Sequence, residues 1–160
     1  MRSEPTTMAE GGAAAALAYG ATRPTDDIDT FHPLTPVVQK AVEAAQRSTG
    51  LTIPVSFAAV ADAPYDFEDR LIPIRALRLK RLTVVVPERH DLVLMKTLRG
   101  YQHDVEVIEQ IHQRQPLVFE VLRSRWKSGA IGGAPELAVL ALLLFATLVA
   151  EHLAAQAPRR

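Results

Sequence analysis

Residues 11–31 read Gly11-Gly12-Ala13-Ala14-Ala15-Ala16-Leu17-Ala18-Tyr19-Gly20-Ala21-Thr22-Arg23-Pro24-Thr25-Asp26-Asp27-Ile28-Asp29-Thr30-Phe31. Two adjacent glycines let a backbone pass close to an anion, and Ala13 to Tyr19 can begin a helix whose first amides point at it. Gly20 supplies the stop. Asp27 and Asp29 then flank Ile28, so on an extended strand both carboxylates leave one face while Ile28 turns to the core. Two carboxylates close to a glycine-rich anion site are what a hard divalent cation and a nucleoside triphosphate require together.

Working outward, residues 1–10 are polar, and only Met8 and Ala9 could begin a strand, so they are expected as a tail or the remnant of a first strand. Thr25 to Phe31 is the carboxylate strand, ended by His32-Pro33. Thr35-Pro36 places a cap and a first-turn proline before a helix over Val37 to Arg47, closed by Gly50. Leu51 to Ala61 alternates as a strand, followed by a turn-rich connector at 63–69. Arg70 to Arg75 and Leu79 to Val86 read as two short strands, the second carrying Val84-Val85-Val86.

The second half is helical. Asp91 to Leu98 places Leu92, Met95 and Leu98 on one side, Asp104 to Gln113 follows with Val105, Ile108 and Ile111 or His112, and Leu117 to Lys127 is a third helix after Pro116. Beyond Gly129, Gly132 and Gly133, Leu137 to Ala150 is an apolar run of 14 residues, shorter than the ~20 a membrane span needs. Being apolar all round, it predicts a core or oligomer helix covered by a second copy or a cognate partner, with no membrane role. The fold class expected is α+β, a small mixed β-sheet flanked by helices with a helical C-terminal part. Its divisions are 1–10, a main domain over 11–115, C-terminal helices over 116–156 and a tail at 157–160.

With 160 residues the chain can bury a core on its own, and 18 basic against 18 acidic residues give no long-range field for general nucleic-acid or membrane-surface binding. The lack of cysteine excludes thiolate chemistry and fits a reducing cytoplasm, and no signal-peptide apolar core stands at the amino terminus. The five histidines show no metal-ligand spacing. Lys96 and Arg99 are three apart on one helix, so both reach one side, with Asp104 a short loop away.

Plainer roles stand beside these. Gly11-Gly12 can be a simple loop, Asp26 to Asp29 a solvated turn, Lys96 and Arg99 the wet face of a helix, Asp62 a turn residue and Asp91 a helix cap. Arg70, Arg75, Arg78, Lys80 and Arg81 can protect a sheet edge or receive a nucleic-acid acceptor. Trp126 reads as a core residue.

Gly11-Gly12 followed by Arg23-Pro24-Thr25-Asp26-Asp27-Ile28-Asp29, with Asp91-Leu92, Lys96, Arg99 and Asp104 later, resembles the minimal nucleotidyltransferase-fold proteins of bacteria. These include the nucleotidyltransferase halves of abortive-infection and toxin-antitoxin systems and many relatives of unassigned function. The resemblance spans about residues 8–115. It implies that Gly11 and Gly12 contact the triphosphate, that Asp27 and Asp29 hold magnesium or manganese, and that Lys96, Arg99 and Asp104 face the cleft, Lys96 as a point charge on phosphate, Arg99 as a bidentate clamp and Asp104 orienting Lys96 or acting as a base toward an acceptor hydroxyl. A third metal-binding carboxylate would come from a later strand, where Asp62 is the best placed candidate. Such proteins carry an apolar strand just before the glycine pair, which residues 1–10 hold in reduced form only.

Two functions follow. One is a magnesium-dependent transfer of a nucleoside monophosphate from a nucleoside triphosphate to a hydroxyl on a protein or RNA. The other is a catalytically silent interaction module on the same fold, docking through the apolar C-terminal helix.

Overall fold

In the computed structural model, residues 6–57, 63–77, 79–80, 82–99 and 101–128 are described. They form strands β1 (Thr6–Glu10), β2 (Ile28–Thr30), β3 (Val55–Phe57), β4 (Ile72–Pro73) and β5 (Thr83–Val86). The helices are α1 (Gly11–Tyr19), α2 (Pro36–Thr49), α3 (Arg89–Arg99), α4 (Gln102–Arg114) and α5 (Phe119–Ser128), with a 3-10 turn at Phe67–Arg70. One sheet runs in the order β3-β2-β1-β5-β4. β1 is antiparallel to β2 and parallel to β5, β2 is parallel to β3, and β4 is antiparallel to β5. This is the mixed sheet with helices that the alternation of elements predicts. Asp62, Arg78, Arg81 and the apolar run 137–150 lie outside the described residues.

Of the tail or remnant strand expected over residues 1–10, Thr6–Glu10 form the short strand β1. β1 is the middle strand of the sheet, and its two apolar residues enter different packing clusters. Ala9 joins Ala14, Val86 and Leu92, whereas Met8 joins Phe67 and Met95, as adjacent residues of a strand buried on both faces must. Its hydrogen-bonded neighbours on both sides, more than its own hydrophobicity, hold it there.

Local signals set the helix limits. The Ala run forms α1, and its buried Ala13, Ala14 and Ala15 are small enough to bring the helix close to its neighbours. Gly20, at φ +69, ends it, with the Gly20 and Ala21 amides donating to the carbonyls of Ala16 and Ala15. In α2 the Thr35 hydroxyl accepts from the Val38 amide, Pro36 occupies the first turn, and Gly50 caps the end at φ +69. The carboxylate strand proves shorter than expected, because Thr25 to Asp27 form a turn in which the Thr25 hydroxyl lies 3.1 Å from both the backbone oxygen and the carboxylate of Asp27. On α4 the buried face is Val107, Ile108, Ile111 and His112, with Val105 only half-buried.

α3 departs most from its amphipathic reading. Every residue from His90 to Thr97 is buried, because α1, α4 and α5 all pack against it. Asp91 is no simple cap: it is wholly buried and receives Arg70 at 2.9 and 3.1 Å and Arg125 at 2.9 Å. Arg125 also pairs with Glu88. The Val118 amide donates to His90 Nε2 at 2.9 Å, so the ring proton sits on Nδ1 and is donated to Glu88 at 3.0 Å. Burial pushes the Glu88 carboxyl up, but the hydrogen bonds from His90 and Arg125 outweigh it and hold the group at about 2. This network ties the connector before β4, the start of α3 and α5 into one body. Arg70 is thereby a structural partner, leaving Arg75 and Lys80 as the described exposed members of the basic cluster.

Candidate active site

The site is built where the start of α1, the turn into β2 and the α3–α4 corner converge. Gly12 comes from the first turn of α1, Asp27 and Asp29 from the lead-in and middle of β2, Lys96 and Arg99 from the end of α3 and His103 from the start of α4. All six line one cleft of about 240 Å³, together with Arg23, Thr25 and Asp26. Asp27 reaches it from the turn and Asp29 from β2, with Ile28 between them half-buried.

The glycines have separate reasons to be glycine. Gly11 takes φ +66, which a side chain resists, and a Cβ there would stand 3.4 Å from Asp29 Oδ2. At Gly12 a Cβ would meet the Thr25 hydroxyl at 2.9 Å and its Cβ at 3.1 Å, so the turn carrying the acids can close on the helix start only without a side chain there.

Asp29 is further fixed from the neighbouring strand. β2 and β3 place Asp29 opposite Ser56, whose hydroxyl donates to Asp29 Oδ1 at 3.1 Å. Ser56 and Thr25, which steady the two acids, were not assigned a role from sequence. The register of β3 against β2 would have pointed to the first and the short spacing to Asp27 to the second.

Asp104 lies beneath the cleft and does not line it. Its carboxylate accepts from Lys96 Nζ at 2.8 Å and from Arg99 Nε and Nη2 at 2.9 and 2.7 Å. Burial raises the Asp104 carboxyl, yet the bonds from Arg99 and Lys96 prevail and keep it below the usual carboxylate range. Both oxygens are engaged by cations, which suits an orienting role and leaves little basicity for proton abstraction. Lys96 is 3% exposed and its ammonium is lowered by burial, with Asp104 acting to restore it. It is therefore a buried charge at the cleft floor and no part of a wet helix face. Arg99, half-exposed at the wall, is the more accessible of the two cations while held in place by Asp104.

The donor set fits a hard divalent cation. Asp27 and Asp29 offer oxygen ligands only, and magnesium binds through one or two carboxylates with the remaining positions filled by substrate phosphate and water. Among the described residues no three His, Asp or Glu side chains gather at metal-binding spacing. The position beside Asp29 on the adjacent strand is filled by the Ser56 hydroxyl.

Residues 4–133 match the family described as "Nucleotidyltransferase of unknown function (DUF6036)". Neither the curated proteins nor the solved structures contain a match.

Proposed function

The chain belongs to this nucleotidyltransferase family, and on that premise we propose that it transfers a nucleoside monophosphate from a nucleoside triphosphate to a hydroxyl of a protein or RNA, with magnesium. The observation that carries the reading is the single cleft in which Asp27 and Asp29 face Gly12, Lys96 and Arg99. In the reaction the acceptor hydroxyl oxygen forms a bond to the α-phosphorus and gives its proton to solvent, the bond from that phosphorus to the bridging oxygen breaks, and pyrophosphate leaves with that electron pair. Asp27 and Asp29 would hold the metal, which when bound neutralises phosphate charge and aligns the phosphate oxygens.

The chain's own residues supply the positioning. The first amides of α1, freed of side chains at Gly11 and Gly12, present donors and the positive helix end to the phosphates. Arg99, anchored by Asp104, stabilises charge on the departing pyrophosphate as a fixed guanidinium, and Lys96 adds a second positive charge from the floor. Ser56 and Thr25 keep the acids aimed, so little reorganisation is needed when substrate arrives.

The test is label transfer from an α-labelled triphosphate in the presence of magnesium. The double substitution Asp27→Asn with Asp29→Asn abolishes transfer while thermal unfolding stays cooperative. Undiminished labelling by that variant overturns the reading.

A further inference from the structure

The cleft is suited to one end of a nucleotide only. At about 240 Å³ it falls below the ~300 Å³ at which pockets begin to enclose a drug-sized ligand, and its lining is dominated by charged groups. Phosphates and a metal match those groups, whereas a nucleobase has a flat apolar face that seeks another ring. Among the described residues that line the cleft, the aromatic ring belongs to His103.

That ring is unusually well supported for one so exposed. The His103 side chain is 44% exposed, and its imidazole stacks on Tyr101 with centroids 5.3 Å apart and planes 24° from parallel. Tyr101, itself 55% exposed, has the Arg99 guanidinium 5.3 Å from its ring centroid, and Arg99 is pinned by Asp104. A chain of contacts thus runs from the buried carboxylate through Arg99 and Tyr101 to a ring on the cleft wall. His103 Nε2 also lies 3.9 Å from Asp104 Oδ1, so the same buried carboxylate helps to orient the ring directly.

Resting on the nucleotidyltransferase reading above, we propose that the His103 imidazole, backed by Tyr101, is the stacking platform for the nucleobase of the bound triphosphate. The phosphates enter the cleft and the base lies outward against the α3–α4 corner. Stacking discriminates weakly among bases, so the site accepts all four nucleoside triphosphates within a few-fold of one another.

Calorimetric titration with magnesium and each nucleoside triphosphate, and in parallel with magnesium and inorganic tripolyphosphate, separates the two ends of the ligand. The full chain is expected to bind the nucleotides on the order of tenfold tighter than tripolyphosphate. His103→Ala brings the nucleotides down to the tripolyphosphate level without changing tripolyphosphate affinity, and His103→Phe keeps the nucleotide advantage. Equal affinities in the unsubstituted chain, an intact nucleotide advantage in His103→Ala, or an equal loss of tripolyphosphate binding in that variant each overturns the platform while leaving the phosphate site standing. Failure of the unsubstituted chain to bind tripolyphosphate or any nucleotide overturns the functional reading, and the platform with it.

Discussion

A methyl group at position 12 would arrive 2.9 Å from the Thr25 hydroxyl, and that contact lets the site be tested without disturbing its charges. Gly12→Ala pushes back the turn that carries Asp27, so magnesium-dependent triphosphate affinity is expected to fall about tenfold, equivalent to ~1.4 kcal/mol. The better helix propensity of alanine offsets much of the crowding, so the melting temperature shifts little. Ser56→Ala removes the hydroxyl bonded to Asp29 and is expected to weaken metal binding a few-fold, read by manganese titration, with Ser56→Thr restoring it. At this scale the meeting of Asp27 and Asp29 in one cleft was legible because the two stand close together along the chain, on either side of Ile28. Ser56 was not, because its meaning depends on which strand lies beside β2.

Between elements, the buried Lys96–Asp104 pair joins α3 to α4 and sets the direction of Arg99. Asp104→Asn leaves an ammonium that is 3% exposed without its carboxylate, and the expected loss is about 3 kcal/mol by urea denaturation. Replacing both partners, with Lys96→Met and Asp104→Leu, recovers most of that stability while nucleotide binding stays lost, which separates the fold from the site. Helix limits were readable wherever a cap was written locally, as at Thr35-Pro36 and Gly50. The burial of α3 was not, since periodicity reports one apolar face and cannot show that three other helices enclose the polar remainder. For the same reason Asp91 looked like a cap: its partners Arg70 and Arg125 are far away along the chain.

For the molecule as a whole, acid stability follows from Glu88 and Asp104. Both carboxyls lie below their ordinary values in the folded chain, so each contributes stability that is full above the unfolded value and is lost as pH falls through the folded one. For Glu88 that window runs from 4.5 down to about 2. The melting temperature is expected to stay level above about pH 5 and to drop through this range, the Glu88 share being on the order of 3 kcal/mol. Glu88→Gln flattens that limb and lowers the plateau, measured by thermal unfolding across pH.

The placement of β1 also governs the order in which this protein can be made. β1 pairs, through Thr6, Thr7 and Met8, with Thr83, Val84 and Val85, so the centre of the sheet stays open until β5, far later along the chain, has been synthesised. Closing so wide a loop late is a slow step, and until then the hairpin-like contact of β1 with β2 has one bare edge. Assembly of the cleft must wait longer still, for α4 to bring Asp104 under Arg99, so a nascent chain released early would present its acids before Lys96 and Arg99 were fixed to answer them.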